Sequence, residues 1–426
     1  MTDQTSLLEV RVDYDDMKRT LIIVATVVVL VGAGVAGYFY FFNNTAEVVV
    51  APVDDTNLPV ADGATQIPTE VGEDSGATTN TDIPSSTRVT SRLVKINEGP
   101  VVLGEAVISK KTTASSSAEV SVSYIERRSG NVYSYSVTTG TNTRTSNKTL
   151  LGIQSAVWLP NASTAFVRYL SGENLSTINS YALRADGSDA APAGGQGFFL
   201  PQNLSDIAVS STSIITLSSG VNGSISSISR TDGTQIKEIF TTPLSSLRIA
   251  FAGKNQYLAY TKPSARLAGN AFIVDSSGRF SRVAGPLNGL VALSSPSGKW
   301  TIVSYTNGGA MQMNLVNTIT GESIPLPVAT IADKCVWTAD DSAVYCGVPI
   351  SPSPNFNYPD DWYQGAVSFS DRIWKIDVSG RYAQFVLDFS KEDKGDLDAE
   401  SLAIDPLTTT LVFVNKKDGS LWSYSL

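Results

Sequence analysis

Residues 293–305 read LSSPSGKWTIVSY, a Ser-, Pro- and Gly-rich turn closed by a tryptophan and followed by the alternating run Thr301 to Tyr305. Two further stretches are built the same way: AVWLPNASTAFVRY at 156–169 and CVWTADDSAVYC at 335–346. Proline presets φ, and Asn and Asp side chains bond their own backbone two residues on, so each stretch reads as two strands meeting in a tight turn. Working outward, residues 88–426 are almost all short alternating runs separated by Gly, Asp, Asn and Ser. That is strand periodicity with turn punctuation, and no long amphipathic helix interrupts it.

A second turn sets the period. Thr139-Gly140, Asp186-Gly187, Asp232-Gly233, Ser277-Gly278, Thr320-Gly321 and Ser379-Gly380 each follow an alternating strand. The glycines are 47, 46, 45, 43 and 59 residues apart, and the chain ends 46 residues after the last. Roughly 40–50 residues is the length of one four-stranded propeller blade. The tryptophan turns resemble degenerate copies of the W-S-P-D-G-K turn of TolB-type, WD40-like (PD40-type) propeller repeats. Asn161 and Ser297 stand where that family has Asp. The resemblance spans most of 100–426 and implies an all-β, seven-bladed β-propeller. It implies no activity, because the turn is a folding element. The last repeat stops one strand short, and the early run Arg92 to Ile96 is a spare strand. Pairing the two closes a seven-bladed ring; six or eight blades, or an open ring, are the alternatives.

Upstream, Thr20 to Phe42 is an apolar stretch of 23 residues without an ionisable side chain. At 1.5 Å per residue it makes about 34 Å of helix, enough for a hydrocarbon core of about 30 Å. Lys18 and Arg19 precede it and the next basic residue is Arg88. The positive-inside rule then gives a cytoplasmic tail (1–19), an uncleaved signal-anchor (20–42) and an extracytoplasmic remainder. A cleaved signal peptide fits less well, because the stretch is long and ends in bulky aromatics. Residues 43–87 hold eight acids and no base, and their Pro-, Thr- and Gly-rich composition reads as a disordered tether. The expected location is the plasma membrane, single-pass, with the propeller (88–426) outside.

The net charge of −9 belongs to the tail and tether, since 88–426 holds 27 acids and 28 bases. Nothing there calls for nucleic acid. The chain has no histidine, which excludes Ser-His-Asp and Cys-His nucleophiles and histidine metal ligands. No metal site and no cofactor is implied. The run Asp393, Asp396, Asp398, Glu400 lacks the spacing of a calcium loop. Cys335 and Cys346 sit equidistant from the centre of one turn, placed for a disulfide or for two buried thiols.

In a propeller, loops between second and third strands emerge on the face where ligands bind. The 59-residue repeat puts its extra length there, GVPISPSPNFNYPDDWYQGAVSFSD at 347–371. Phe356, Tyr358, Asp360, Asp361, Trp362 and Tyr363 make it either a recognition loop or a segment folded back over its own blade or into the channel. The equivalent loops carry Arg127 and Arg128, Lys262 and Arg266, and Lys416 and Lys417. The expectation is a non-catalytic scaffold binding an envelope protein or an anionic surface polymer. The alternative is an envelope-carbohydrate hydrolase or lyase using rim carboxylates such as Asp360 and Asp361.

Overall fold

The computed structural model describes residues 91–110, 118–146, 149–185, 197–392 and 395–426. The tail, the apolar stretch 20–42, the tether and the Asp186-Gly187 turn lie outside the described residues. Among the described residues no helix is long and apolar enough to cross a membrane.

Seven sheets of consecutive antiparallel strands make up the compact unit Ser86–Leu426. They span 106–144, 153–184, 204–242, 247–288, 291–325, 335–388 and 399–425, and are called blades one to seven. Blade two has three strands, and its outer edge is covered by residues 198–203. Ala182 N donates to Phe198 O there, and Leu200 N to Ser180 O. The ring closes at seven because Leu93–Asn97 pairs antiparallel with Leu421–Ser425 as the outer strand of blade seven. Leu93 faces Tyr424, and Arg92 reinforces the seam through Nε and Nη2 bonds to Ser425 O.

Each inner sheet face packs on the next blade, so the core is an annulus. Separate clusters join blades one to two, two to three, three to four, six to seven and seven to one, and one large cluster unites four, five and six. This is why second strands are apolar on both sides: all residues of Ala343–Pro349 and Thr410–Asn415 are buried. Outer strands, such as Tyr382–Asp388, expose one side.

The turn tryptophans clamp neighbouring blades. Trp158 Nε1 donates to Gly104 O at 3.0 Å, and Trp337 Nε1 to Leu293 O at 3.3 Å, each reaching the preceding blade. Asp341 does the same across the turn, accepting from Ser295 Oγ at 2.8 Å and Ser297 N at 3.2 Å. Gly298 has φ +77°, and a Cβ on it would stand 2.3 Å from Ala252 O of blade four, so the close blade contact requires glycine. Cys335 and Cys346 are direct cross-strand partners, 4.1 Å apart at Cα, and form a disulfide.

Strand alternation puts the second-to-third loops and the blade-to-blade connections on one face, the loop face, and the tryptophan turns on the other. Leu93 enters on the turn face, beside Ser425, whose partner Thr410 follows a turn. All seven sheets and their cores lie within 86–426, so this segment folds alone. A chain beginning at Ser86 should melt cooperatively, whereas one beginning at Glu98 should melt several degrees lower and self-associate through the bare edge of Leu421–Ser425. Circular dichroism and gel filtration check this. Cys335→Ala/Cys346→Ala should lose about 3 kcal/mol in a urea titration, given the short loop the bridge closes.

Candidate functional site

The first strands of the blades surround the axis and touch one another. On the loop-face side they carry Glu105, Ser155, Asp206, Arg248, Asp333 with Lys334, and Glu400 with Ser401. These residues form a polar mouth around the channel. The blade-six insertion folds over it.

That insertion is organised by a four-residue helix, Asp360–Tyr363. Asp361 Oδ2 accepts from Asn357 N at 2.7 Å and stabilises the start of the helix. Asp360 Oδ2 accepts from Ser264 Oγ at 3.3 Å and Ala265 N at 3.1 Å, fastening the insertion to blade four. The helix turns Trp362 inward, where it is 2 % exposed. Its ring stacks on Phe369, with centroids 6.3 Å apart and planes 9° from parallel. Its Nε1 donates to Asp398 Oδ2 at 3.1 Å.

Beneath the indole lies Lys334, with no exposed side-chain surface. Its ammonium bonds Asp371 Oδ2 at 2.8 Å, Asp398 Oδ1, and Ala399 O at 2.8 Å. Phe369 N adds a bond to Asp398 Oδ2 at 2.8 Å, and Ala399 N one to Asp371 Oδ2 at 2.7 Å. Buried charges persist only when paired and hydrogen-bonded, and this knot meets both conditions except at Asp371 Oδ1, which is buried without a partner. The two carboxylates keep the lysine protonated, its pKa raised against the opposing effect of burial. Burial pushes the Asp371 carboxyl up even with that ammonium beside it. Lys334 lies 4.9 Å from the centre of the Trp362 ring, and Lys416 lies 4.6 Å from it, so the indole faces two ammonium groups.

The opposite side of the mouth is lined by a second chain of pairs, in which the Arg248 side chain is 40 % exposed. Arg248 Nε lies 3.5 Å from Asp206 Oδ2, and its Nη1 is 3.3 Å from Asp333 Oδ2. Tyr363 OH donates to Asp333 Oδ2 at 2.7 Å. Glu105 completes the ring. Ser401 Oγ donates to its Oε2 at 3.1 Å, while its Oε1 is shielded from solvent and has no partner. Burial, opposed by the Ser401 bond and reinforced by Glu400, pushes the Glu105 carboxyl up to about 8. Burial also raises Glu400, which Lys416 Nζ approaches at 3.3 Å.

The structure therefore brings together only some of the residues singled out in the sequence. Trp362, Tyr363 and Lys416 meet at the mouth. Tyr358 is buried, Phe356 half-buried, and Asp360 and Asp361 serve as latch and helix anchor. The insertion thus adopts the folded-back alternative, and Trp362 and Tyr358 present no free aromatic tip. Lys416 is turned inward, so the four bases of blades one and seven do not all share an exposed rim. Arg127, Arg128, Lys262 and Arg266 remain exposed, as does Lys417, whose Nζ bonds Asp396 O at 3.0 Å. Sequence reasoning missed Lys334, Asp371, Asp333, Arg248, Asp206 and Glu105. Their signal was positional: all but Asp371, which opens the third strand of blade six, sit in or just before a first strand near the axis, a register that aligning the repeats would have exposed.

No protein-family model matches the chain, and no curated protein matches it. Solved structures do. An oligogalacturonate lyase from Vibrio parahaemolyticus is 9 % identical, with 78 % of this chain and 93 % of that one covered at a TM-score of 0.52. The chain is a seven-bladed β-propeller. An oligogalacturonate lyase in complex with manganese covers 76 % of this chain and 98 % of its own at 9 % identity and a TM-score of 0.49. Kuenenia stuttgartiensis hydrazine synthase is 13 % identical over 82 % of this chain and 99 % of its own, with a TM-score of 0.49. At such identities the likeness is one of fold alone, and the propeller carries none of these activities over.

Two outcomes follow from this geometry. Trp362→Ala should cost about 3–5 kcal/mol of folding stability, as for a buried aromatic, whereas Tyr363→Phe should cost about 1 kcal/mol, the loss of one hydrogen bond; urea denaturation separates them. Glu105 holds its proton in the folded protein at pH values where the unfolded chain, near its ordinary 4.5, has released it. Its contribution is full below that value and is lost as pH rises through about 8. Glu105→Gln should therefore flatten the fall of stability with rising pH across that window, measured by urea midpoints.

Proposed function

We propose that the chain is a membrane-anchored, extracytoplasmic propeller of TolB/WD40-like repeat type that acts as a non-catalytic scaffold of the cell envelope. It would bind an envelope protein or an anionic surface polymer and belong to the plasma membrane, single-pass, with the propeller outside. The observation that carries this reading is that the mouth is occupied by ion pairs, with the Lys334 side fully buried under the insertion. Its cations are held by carboxylates, Lys334 by Asp371 and Asp398, Arg248 by Asp206 and Asp333, and Lys416 by Glu400. The insertion lies over them, while Arg127, Arg128, Lys262 and Arg266 stand outward on the same face without an ion partner among the described residues. A disulfide suits an oxidising exterior. The sequence of 20–42 supports the anchor.

A second reading, a carbohydrate hydrolase or lyase, draws support from Glu105. A carboxyl that keeps its proton at neutral pH beside Glu400 has the character of a general acid. That reading moves from Asp360 and Asp361, which are occupied in local bonds, to Glu105. Residues 86–426 incubated with anionic polysaccharides, oligogalacturonate among them, should bind without generating reducing ends or unsaturated product. Turnover that disappears in Glu105→Gln would replace the scaffold with the enzyme. Binding should weaken about tenfold or more in Arg127→Gln/Arg128→Gln/Lys262→Gln/Arg266→Gln, since several exposed charges act together.

A further inference from the structure

On the loop face, four connections of blades one to four each carry an aliphatic side chain that packs on little of the fold. Leu151, on the segment joining blades one and two, is 64 % exposed. Leu175, at the tip of the hairpin between Thr164–Ser171 and Thr177–Arg184, is 61 % exposed. Val221, between Ser213–Gly220 and Gly223–Arg230, is fully exposed at 103 %, and Leu267, just before Ala268–Asp275, at 72 %. Loop tips of this kind are ordinarily polar, because an aliphatic chain there gains nothing from folding. Leu175 also has φ +52°, an uncommon conformation for a residue of its bulk.

The charge around these tips is weighted toward bases. Arg127 and Arg128 crown the blade-one hairpin, and Lys262 and Arg266 flank Leu267. None forms an ion pair among the described residues. The acids Glu173, Glu126 at the foot of the Arg127–Arg128 hairpin, and Glu98, which pairs with Lys95, stand among them. The turn face is mixed: Asp232, Asp275, Asp340 and Asp377 stand there, each carboxylate bonded within its own turn, beside the exposed Arg230, Lys254 and Lys299. Separate convex ends bearing aliphatic chains match a deformable apolar medium, and the bases between them complement anionic headgroups.

We infer that the tips of blades one to four form a docking surface for an anionic lipid bilayer, with Leu151, Leu175, Val221 and Leu267 entering the interface and Arg127, Arg128, Lys262 and Arg266 contacting lipid phosphate. The inference rests on the scaffold reading only for the choice of face. Residues 86–426 should co-sediment with phosphatidylglycerol vesicles and weakly with phosphatidylcholine alone, and the binding should fall with added salt. Leu175→Ser/Val221→Ser/Leu267→Ser should weaken binding about tenfold or more, from the loss of buried methylenes. Ile236→Ser/Ile319→Ser on the turn face should leave it unchanged. A fluorophore on Leu175→Cys should shift to the blue with vesicles, and one on Ile319→Cys should not.

Equal vesicle binding by the aliphatic triple variant and the parent would overturn the inference. So would the absence of vesicle binding. In either case retained binding of dextran sulfate leaves the scaffold reading standing with a soluble polymer as its ligand. Loss of both would remove the lipid and polymer readings together and leave an envelope protein as the scaffold's partner.

Discussion

Everything in the propeller depends on the pairing of Leu93–Asn97 with Leu421–Ser425. The hydrophobic core is a ring of blade-to-blade interfaces, and a ring has no interior unless it is closed. Leu93 and Tyr424 sit at the seam and belong to the cluster that joins blades six and seven. Ile96 belongs to the one that joins seven and one. One short strand at the start of the propeller therefore completes two interfaces and covers the outer edge of the last blade. The constraint also fixes which faces exist. Once the ring is closed, strand alternation assigns the tryptophan turns to one face and the hairpin loops with the blade-six insertion to the other.

The loop face divides into an ion-paired centre, buried on the Lys334 side, and an exposed periphery. At the centre, Lys334 exchanges water for two carboxylates and a carbonyl, and Trp362 closes over it. Removing any one partner would leave a buried charge uncompensated, a change that costs about 3–5 kcal/mol in comparable buried pairs. The insertion is thus part of the folded structure of blades six and seven, and it is also latched to blade four by Asp360. At the periphery, bases and aliphatic chains have no such partners. This division favours recognition on the outer loops over chemistry in the channel. Glu105 is the exception, an acid kept protonated by burial with one oxygen unpaired.

How much of this was legible beforehand follows from the range of each signal. The blade period was readable because every turn recurs within a single repeat, as Asp232-Gly233 and Ser277-Gly278 do. The seam was readable because a spare strand and a missing strand stood at opposite ends of one periodic pattern. The Cys335–Cys346 bridge was suggested by a spacing symmetric about its turn. The Lys334 knot was not legible, because its partners come from different blades and Asp398 is 64 positions away. Asp398 looked like one more acid in a surface run. Trp362 looked equally suited to a recognition tip and to a plug, since composition records that an aromatic stands in a loop but not which way it points. Its direction was decided by a buried ammonium and a carboxylate that only the closed ring brings beneath it.

The most direct test is amide hydrogen exchange on residues 86–426, following the amides of Phe369 and Ala399, which donate to Asp398 and Asp371. A plug held by the Lys334 knot requires these two to exchange only with global unfolding, at the same slow rate as the central strands Ala343–Pro349 and Thr410–Asn415. Exchange of Phe369 and Ala399 on the timescale of exposed loops, with the central strands still protected, would mean that the insertion opens in the native state. The channel would then be an accessible site, and the account of a plugged binding scaffold would be wrong.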